Sequence, residues 1–351
     1  MKENVSLSLI LYARHSVWMG ENMDKPFEKY APAPNRKPGL ANASKWNIPP
    51  AVIGRAKSVG ETGKAWLASL ESMISELESM WNITVGNVLS GGTHAFVAHA
   101  DGWNGEKYVL KVDMPEDLGG EFANSIAALE LADGRGYPKL IAYDLARKAC
   151  LLERLGKPVN QLGYSVLEQL QIICSVLQRV WEIPATGGRF TDGWESIAWF
   201  RKFIGETWEK LGRPCSQHVI EQAFTCLELR EKALNPAEFV FVHGDAHGGN
   251  TLEVLEGNGY KLIDPDGLFY EKAYDLGVLM REWAEEYEQD PVEKGKQRCE
   301  TLHQLTGVPK RAIWEWGYLQ TVSTAFVLLQ IGQNKTGQQM IRVAECWSRA
   351  R

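Results

Sequence analysis

Hydrophobic positions change their period part-way along the chain. In residues 61–81 apolar side chains recur every three or four positions, which predicts an amphipathic helix. Short β-branched and aromatic runs separated by turn residues then predict strands within residues 84–112, 137–143 and 150–155, with a helix at 120–131. From Tyr164 onward the period is helical, and we expect helices near residues 166–181, 194–211, 218–233, 274–287 and 310–331. The pattern therefore predicts an α+β fold, with a sheet-rich first part and a mainly helical second part.

Composition is that of ordinary globular material. The chain has 351 residues, of which 44% are hydrophobic and 23% charged, enough for two lobes around a cleft. A net charge of −6 argues against nucleic acid as a partner but not against a cationic ligand. The six cysteines form no CxxC pair and show no metal-ligand spacing, so we expect reduced thiols and a cytoplasmic protein.

No segment is typical of a membrane span or an export signal. The longest uncharged apolar stretch, residues 316–334, contains several Gln, Ser and Thr side chains and predicts a buried helix. The apolar run at residues 5–13 is too short to cross a bilayer, and Glu3 offsets Lys2 in front of it. Four prolines between residues 26 and 38 indicate an irregular or disordered arm, so residues 1–45 are predicted to be an N-terminal extension.

A polar cluster follows the β-branched and aromatic run at residues 239–242. It reads His243-Gly244-Asp245-Ala246-His247-Gly248-Gly249-Asn250. Asp245 and Asn250 have the spacing of a kinase catalytic loop, in which the Asp orients a substrate hydroxyl and the Asn holds Mg²⁺. An isolated Asp or His in a loop is usually a turn former or a satisfied polar residue. The combination at this spacing favours chemistry.

Downstream, a predicted hairpin supports the same interpretation. Two short strands at residues 251–255 and 260–263 flank a turn at 256–259, so Asn250 before the hairpin and Asp264 after it should lie side by side. Two protein oxygens completed by phosphates and water are a usual way to hold Mg²⁺ at a phosphoryl-transfer site. Asn250 and Asp264 are therefore the predicted metal ligands.

These motifs resemble the aminoglycoside phosphotransferase superfamily of small-molecule kinases. Within it, Ile-Asp-Pro-Asp-Gly at residues 263–267 and Ala-Tyr-Asp-Leu at 273–276 are most similar to the streptomycin 6-kinase and hydroxyurea kinase branch. The resemblance runs from about Trp46 to the C-terminus. It implies a protein-kinase-like bilobal fold, with an antiparallel β-sheet N-lobe at 46–156, a mainly helical C-lobe at 157–351 and ATP in the interlobe cleft. It also implies Mg²⁺ as a cofactor and does not exclude GTP.

The resemblance points to Lys111 as the nucleotide lysine. Its flanking residues, Leu110 and Val112, would cover its stem and leave its charge for the α and β phosphates, although a solvated lysine on an outer strand face is the alternative. Kinases pair this lysine with a helical glutamate. Glu121, which opens the predicted helix, is the preferred partner, and Glu130 is the other candidate.

Two further segments are candidates for nucleotide contacts. Gly91-Gly92 would let backbone amides approach phosphate oxygens. Taken alone, two glycines are explained better by a plain hairpin turn, and their position before the strand of Lys111 is what favours a nucleotide loop. The run Leu151-Leu152-Glu153-Arg154-Leu155 resembles the family's hinge, where backbone groups of Glu153 and Leu155 would bind the adenine edge.

The expected reaction is transfer of the γ-phosphoryl group to a hydroxyl, with Asp245 as the catalytic residue. His243, His247 and Asp275 are expected to support the loop. An acidic rim would suit a cationic small molecule, although charges at helical spacing are usually a solvated face. Its candidate residues are Asp266, Glu282, Glu285 and Glu286.

The resemblance to the streptomycin 6-kinase branch, together with this acidic rim, implies an aminoglycoside-type antibiotic, streptomycin-like, as the acceptor. A kinase of an amino alcohol or sugar and a catalytically inactive kinase-like binding protein remain alternatives. The chain is expected to bind neither nucleic acid nor membrane and to be a monomer or dimer.

Overall fold

The first described elements are two helices. The computed structural model describes residues 46–90, 92, 94–115, 121–184 and 191–350, so the predicted arm at 1–45 lies outside the described residues. Helix α1 spans Pro50–Ser58 and α2 spans Glu61–Trp81. On α2 the predicted apolar face is buried from Trp66 to Leu77, whereas Met80 in the last turn is 53% exposed. The helix ends at Asn82, which adopts the left-handed conformation that Asn tolerates at a helix C-terminus.

A five-stranded sheet follows. Its strands are β1 (Ile83–Val88), β2 (Ala95–Gly102), β3 (Lys107–Asp113), β4 (Leu140–Asp144) and β5 (Ala149–Glu153), and helix α3 (Glu121–Ala132) connects β3 to β4. The order is β1-β2-β3-β5-β4, with every neighbouring pair antiparallel. Leu110 and Val112 on β3 are buried against α1 and α2. Because side chains alternate along a strand, Lys111 lies on the opposite face.

The second part of the chain is mainly helical. Its helices are α4 (Val166–Trp181), α5 (Gly193–Lys210), α6 (Gln217–Ala233), α7 (Ala273–Arg281), α8 (Pro291–Thr306), α9 (Lys310–Gln330) and α10 (Asn334–Trp347). Single 3₁₀ turns lie at Val159–Gln161, Pro236–Glu238 and Ala284–Tyr287. Ser165 starts α4 with a capping box, in which its hydroxyl accepts from the Glu168 amide and the Glu168 side chain accepts from the Ser165 amide.

Two small sheets hold the loops between these helices. Strand β6 (Leu155–Pro158) pairs with β9 (Thr251–Val254), which forms a hairpin with β10 (Tyr260–Leu262). Strands β7 (Thr191–Asp192), β11 (Leu268–Tyr270) and β8 (Val240–Val242) form the other sheet, in that order. The predicted hairpin after Asn250 is confirmed, with Thr251 opposite Leu262. The α+β arrangement predicted from the hydrophobic pattern is therefore present.

Helix α9 is the buried helix predicted from the apolar stretch. Two of its buried hydroxyls have internal partners: the Thr321 hydroxyl donates to the carbonyl of Gly317 at 2.8 Å and the Tyr318 hydroxyl to that of Val219 at 3.0 Å. Among the described residues, no helix is long and apolar enough to cross a membrane. All six cysteines lie in the described part of the chain, and none forms a disulfide.

The predicted helix at residues 274–287 is wrong at its C-terminal end. Helix α7 ends at Arg281, and Trp283 adopts a left-handed conformation with φ 55° before the 3₁₀ turn begins. Arg298 from α8 stacks on the Trp283 ring, 5.0 Å from its centroid, and donates to the carbonyl of Glu282. These tertiary contacts break a helix that local periodicity alone would continue.

Helices α7 and α9 cross at two glycines. A Cβ on Gly277 would lie 2.8 Å from the Cβ of Trp316, and one on Gly317 would lie 2.6 Å from the Cβ of Met280. Since real side chains do not approach so closely, the two helices can only pack this tightly with glycine at both positions. The crossing brings α9 within reach of the last turn of α7.

We expect Gly277→Ala to destabilise the protein by about 1–3 kcal/mol, because the added methyl overpacks the crossing. Gly205→Ala on α5 is the matched control, since its Cβ would meet only the Phe224 ring at 3.6 Å. The control should be neutral or slightly stabilising, as alanine favours helix over glycine. Urea denaturation measures both, and equal effects of the two changes would contradict the tight crossing.

Candidate active site

Gly244 follows strand β8 at the start of the polar loop, and any other residue there would be strained. Gly244 has φ 94°, and a Cβ there would collide with the carboxylate of Asp266. The amide of Asp266 donates to the carbonyl of His243 at 2.9 Å, which fixes Asp266 beside the loop. The turn directs Asp245 into the interior, where the residue is only 6% exposed.

Asp275 of α7 lies beneath this loop. Its Oδ1 accepts from the Gly244 amide at 2.8 Å, and its Oδ2 accepts from the His243 amide at 3.1 Å and the Trp181 indole at 2.9 Å. Burial raises the pKa of Asp275, and these three N–H donors oppose that shift. The carboxylate thereby ties two helices to the backbone of the loop.

His243 links the loop to the end of the hairpin. Its Nδ1 accepts from the Asp245 amide at 3.1 Å, so the proton is on Nε2, which donates to the carbonyl of Ile263 at 2.8 Å. Burial lowers the pKa of His243, which keeps the ring neutral with both nitrogens in use. This arrangement suits a bracing role and leaves no nitrogen for proton transfer.

Asn250 and the end of the hairpin are neighbours, as the sequence predicts. The Ile263 amide donates to the carbonyl of Asn250 at 2.8 Å, which places Asp264 next to it. The Asn250 side-chain amide donates to the carbonyl of Asp245 at 3.1 Å. Its Oδ1 is therefore the remaining polar atom of that side chain. Asp264 has φ 58°, a left-handed conformation that turns the chain sharply after the hairpin.

Lys111 reaches across from the five-stranded sheet. Its Nζ lies 3.0 Å from Oδ1 of Asp264 and 3.4 Å from Oδ1 of Asp113. Burial works against the lysine charge, but the two carboxylates outweigh it and raise the pKa of Lys111. Lys111 therefore stays protonated and lies at the metal-ligand candidate Asp264.

The glutamate expected to pair with Lys111 is located only in part. Helix α3 begins at Glu121, as predicted, but that side chain lies outside the described residues, so the pairing stays a prediction. Glu130 is hydrogen-bonded to Tyr143, whose pKa it raises. Glu130 therefore binds the edge strand β4.

The two further segments predicted to contact the nucleotide are described in part. Gly92 joins β1 to β2 with open space where a Cβ would lie, while Gly91 is outside the described residues. The Glu153 amide donates to the carbonyl of Lys139 at 2.9 Å, so this amide is already engaged within the protein. Leu155 pairs with Val254 of the hairpin.

The Glu153 side chain makes two hydrogen bonds at this predicted hinge. Its Oε2 accepts from Nζ of Lys261 on β10 at 2.5 Å and from the Lys139 amide at 2.9 Å. Two residues beyond the hinge, the Lys157 amide donates to the side chain of Glu253 on β9 at 3.0 Å. The hinge is thus fixed to the β9–β10 hairpin by side chains from both strands.

The carboxylate of Asp245 lies between the side chains of Arg281 and His247. Its Oδ1 accepts from Nη2 of Arg281 at 2.5 Å, and its Oδ2 is 3.4 Å from Nε2 of His247 without hydrogen-bond geometry. Burial favours the neutral acid, but His247 and Arg281 lower the pKa of Asp245 to well below its usual range. Burial likewise opposes the charged form of His247, whose pKa the Asp245 charge raises.

Arg281 is a site residue that the sequence pattern does not predict. It lies 36 positions after Asp245, at the end of helix α7. The hydrophobic pattern predicts that this helix continues to residue 287. The available signal was an arginine six residues after Asp275 on the same predicted helix, about 9 Å further along its axis.

Two carboxylates of the predicted acidic rim lie close to arginine side chains, which reduce its negative charge. Glu286 is paired with Arg298, and the Glu282 carboxylate lies 3.7 Å from Nε of Arg281. Glu285 is exposed in the 3₁₀ turn. Because the helix breaks at Trp283, these carboxylates do not share one helix face as predicted.

The donors at the end of the hairpin fit a hard divalent cation. One carboxylate, Asp264, and one amide oxygen, Asn250, are the oxygen ligands that Mg²⁺ prefers. Among the described residues, no three His, Cys, Asp or Glu side chains cluster as a metal site. Phosphate and water oxygens would therefore supply the remaining ligands.

One protein-family model matches most of this chain. The family model described as aminoglycoside/hydroxyurea antibiotic resistance kinase matches residues 82–332, well over half of the chain. The chain belongs to this kinase family. It is therefore a phosphotransferase, and the resemblance predicted from the loop and hairpin is confirmed.

Characterised relatives come from the same branch of this kinase family. A streptomycin 6-kinase of Streptomyces glaucescens is 24% identical over 301 residues, covering 84% of this chain and 95% of that protein. A hydroxyurea phosphotransferase of Kitasatospora aureofaciens is 24% identical over 220 residues, covering 62% of each protein.

Solved structures of similar fold confirm that this chain has the predicted protein-kinase-like bilobal fold. Choline kinase LicA from Streptococcus pneumoniae has a TM-score of 0.55 at 18% identity, covering 80% of this chain and 98% of that one. Aminoglycoside phosphotransferase APH(4)-Ia, in a ternary complex with ADP and hygromycin B, has a TM-score of 0.55 at 16% identity, covering 78% and 97%.

Proposed function

We propose that this kinase transfers the γ-phosphoryl group of ATP to a hydroxyl of an aminoglycoside-type antibiotic, streptomycin-like, and so confers resistance. The observation that carries the proposal is the approach of Lys111 to Asp264, 3.0 Å apart, beside Asn250 and the loop of Asp245. Lys111 of the five-stranded sheet is thereby next to the proposed metal ligands Asn250 and Asp264. The proposed catalytic carboxylate, Asp245, is on the same loop as Asn250. The streptomycin 6-kinase relatives support the acceptor class.

In this proposal the side chains act mainly by alignment and charge compensation. Asp245 accepts a hydrogen bond from the acceptor hydroxyl, aims its oxygen at phosphorus and takes the proton late. Lys111 binds the α and β phosphates, while Asn250 and Asp264 hold Mg²⁺. When bound, the metal neutralises charge on the phosphate oxygens. A strongly lowered pKa makes Asp245 a weak base, which agrees with late proton transfer.

A less cationic acceptor is the second candidate, because much of the acidic rim is already compensated within the protein. Arg298 neutralises Glu286 and Arg281 lies near Glu282, so long-range attraction of a polycation is weaker than the sequence suggests. A small metabolite such as an amino alcohol or sugar would need less negative charge at the acceptor site.

Coupled ADP release with Mg-ATP against streptomycin, other aminoglycosides, hydroxyurea and common amino alcohols and sugars tests the proposal. We expect turnover on a streptomycin-like antibiotic. Turnover confined to an amino alcohol or sugar would favour the metabolite kinase. Binding of Mg-ATP without turnover on any acceptor would favour an inactive binding protein.

We expect Lys111→Met to raise the Kd of Mg-ATP about 10- to 100-fold, which is the loss of a charge-assisted contact worth about 1.5–3 kcal/mol. Lys107→Met on the same strand is the matched control, because Lys107 is exposed and pairs with Asp101 at 3.1 Å. Isothermal titration calorimetry with a non-hydrolysable ATP analogue measures both. Unchanged affinity in the Lys111 variant would remove this lysine from the nucleotide site.

A further inference from the structure

Arg281 makes a buried contact with the proposed catalytic carboxylate that the reaction scheme above does not use. Its side chain is 1% exposed. Nη2 donates to Oδ1 of Asp245, while Nη1 donates to Oε1 of Gln320 at 2.7 Å and to Oγ1 of Thr324 at 3.1 Å. Both partners lie on α9 one turn apart, so the planar guanidinium is held on two sides.

This contact makes the two oxygens of Asp245 unequal. Oδ1 is occupied by the guanidinium, whereas Oδ2 has no hydrogen-bond partner among the described residues. A carboxylate held by one oxygen cannot rotate freely about its last bond. Oδ2 is therefore the oxygen left to accept a hydrogen bond from an acceptor hydroxyl.

One helix holds the loop at two points. Near the start of α7, Asp275 binds the backbone of the loop, and at its end Arg281 binds the Asp245 carboxylate, six residues or about 9 Å further along the axis. The glycine crossing of α7 and α9 places Gln320 and Thr324 against the guanidinium. The backbone of the loop and the side chain of Asp245 are thus both held by helix α7.

We propose that Arg281 is a positioning residue for phosphoryl transfer, which fixes the Asp245 carboxylate so that Oδ2 faces the acceptor hydroxyl. This proposal rests on the proposed function. The simpler alternative is that Arg281 only neutralises a buried carboxylate. Any cation in its place would then serve, since neutralisation requires charge and not a planar fork of donors.

Arg281→Lys separates the two roles, because it keeps the charge and loses the fork. We expect kcat to fall about 10- to 100-fold, as small misplacements of reacting groups do, with the KM values for ATP and acceptor within about twofold of wild type. Thr324→Val, which keeps Arg281 but removes one of its supports, should lower kcat by a smaller factor. Arg230→Lys is the matched control, since Arg230 is also buried and pairs with Glu271 and Glu315 away from the loop.

The measurement is ADP release with the acceptor that turns over fastest in the panel, together with slow hydrolysis of ATP by water, on variants whose folding is checked by denaturation. An Arg281→Lys enzyme with wild-type kcat overturns the positioning role, as does an equal loss in Arg230→Lys. A wild-type enzyme that binds Mg-ATP yet transfers to no acceptor and not to water overturns the proposed function, and the positioning role with it.

Discussion

Replacing Asp245 by asparagine is expected to lower kcat for phosphoryl transfer by about 1,000-fold, the size of a lost general base. Asparagine keeps the shape of the side chain but cannot accept the proton of the acceptor hydroxyl. The Kd of Mg-ATP should change little, because Lys111, Asn250 and Asp264 are retained. Coupled ADP release measures kcat, and calorimetry with a non-hydrolysable analogue measures nucleotide affinity.

Stability has to be followed in the same variant, because Asp245→Asn leaves the Arg281 charge buried without its carboxylate. Glu271→Gln is a matched control, since Glu271 also pairs with a buried arginine, Arg230, but makes no contact with the loop. We expect the control to lose stability and keep kcat. An Asp245→Asn enzyme with more than a tenth of wild-type kcat would rule out a catalytic role for this carboxylate.

The second large effect concerns folding. Asp275→Leu should lower the free energy of unfolding by about 3–9 kcal/mol, since it leaves three buried N–H donors without an acceptor at about 1–3 kcal/mol each. The donors are the amides of His243 and Gly244 and the indole of Trp181. Guanidinium chloride denaturation followed by tryptophan fluorescence is the appropriate measurement.

Asp275→Asn gives the comparison that interprets this result. Asparagine retains one carbonyl oxygen and can still accept from the loop, so its loss of stability should be clearly smaller than that of leucine. Equal losses in the two variants would mean that the volume of the side chain, and not its acceptor oxygens, supports the loop.

Local motifs were sufficient to predict the loop and the hairpin. Spacing within ten residues defines Asp245 and Asn250, and a hairpin needs only a turn between two short strands to bring Asp264 back to Asn250. The N-terminal sheet and the buried helix α9 were predictable for the same reason, because period and turn residues act over short distances.

Contacts between distant segments were not predictable from one sequence. Arg281, the partner of Asp245, is 36 positions away along the chain. Helix α7 ends at Arg281 because Arg298 of helix α8 stacks on the Trp283 ring. Helices α1, α8 and α10 were not predicted either. For α8 a local signal existed, since Asp290 precedes Pro291 and its carboxylate accepts from the Glu293 amide as an N-cap.

The ion pair between Glu153 and Lys261 joins the end of β5 to the β9–β10 hairpin. The Lys157 amide, which donates to the Glu253 side chain, adds a contact between the following segment and the same hairpin. Lys111 and Asp264, 3.0 Å apart, connect the five-stranded sheet to the residue that closes the hairpin. Because the sheet and the hairpin are linked at both Glu153 and Lys111, a large change in their relative orientation would have to break one of these two ion pairs.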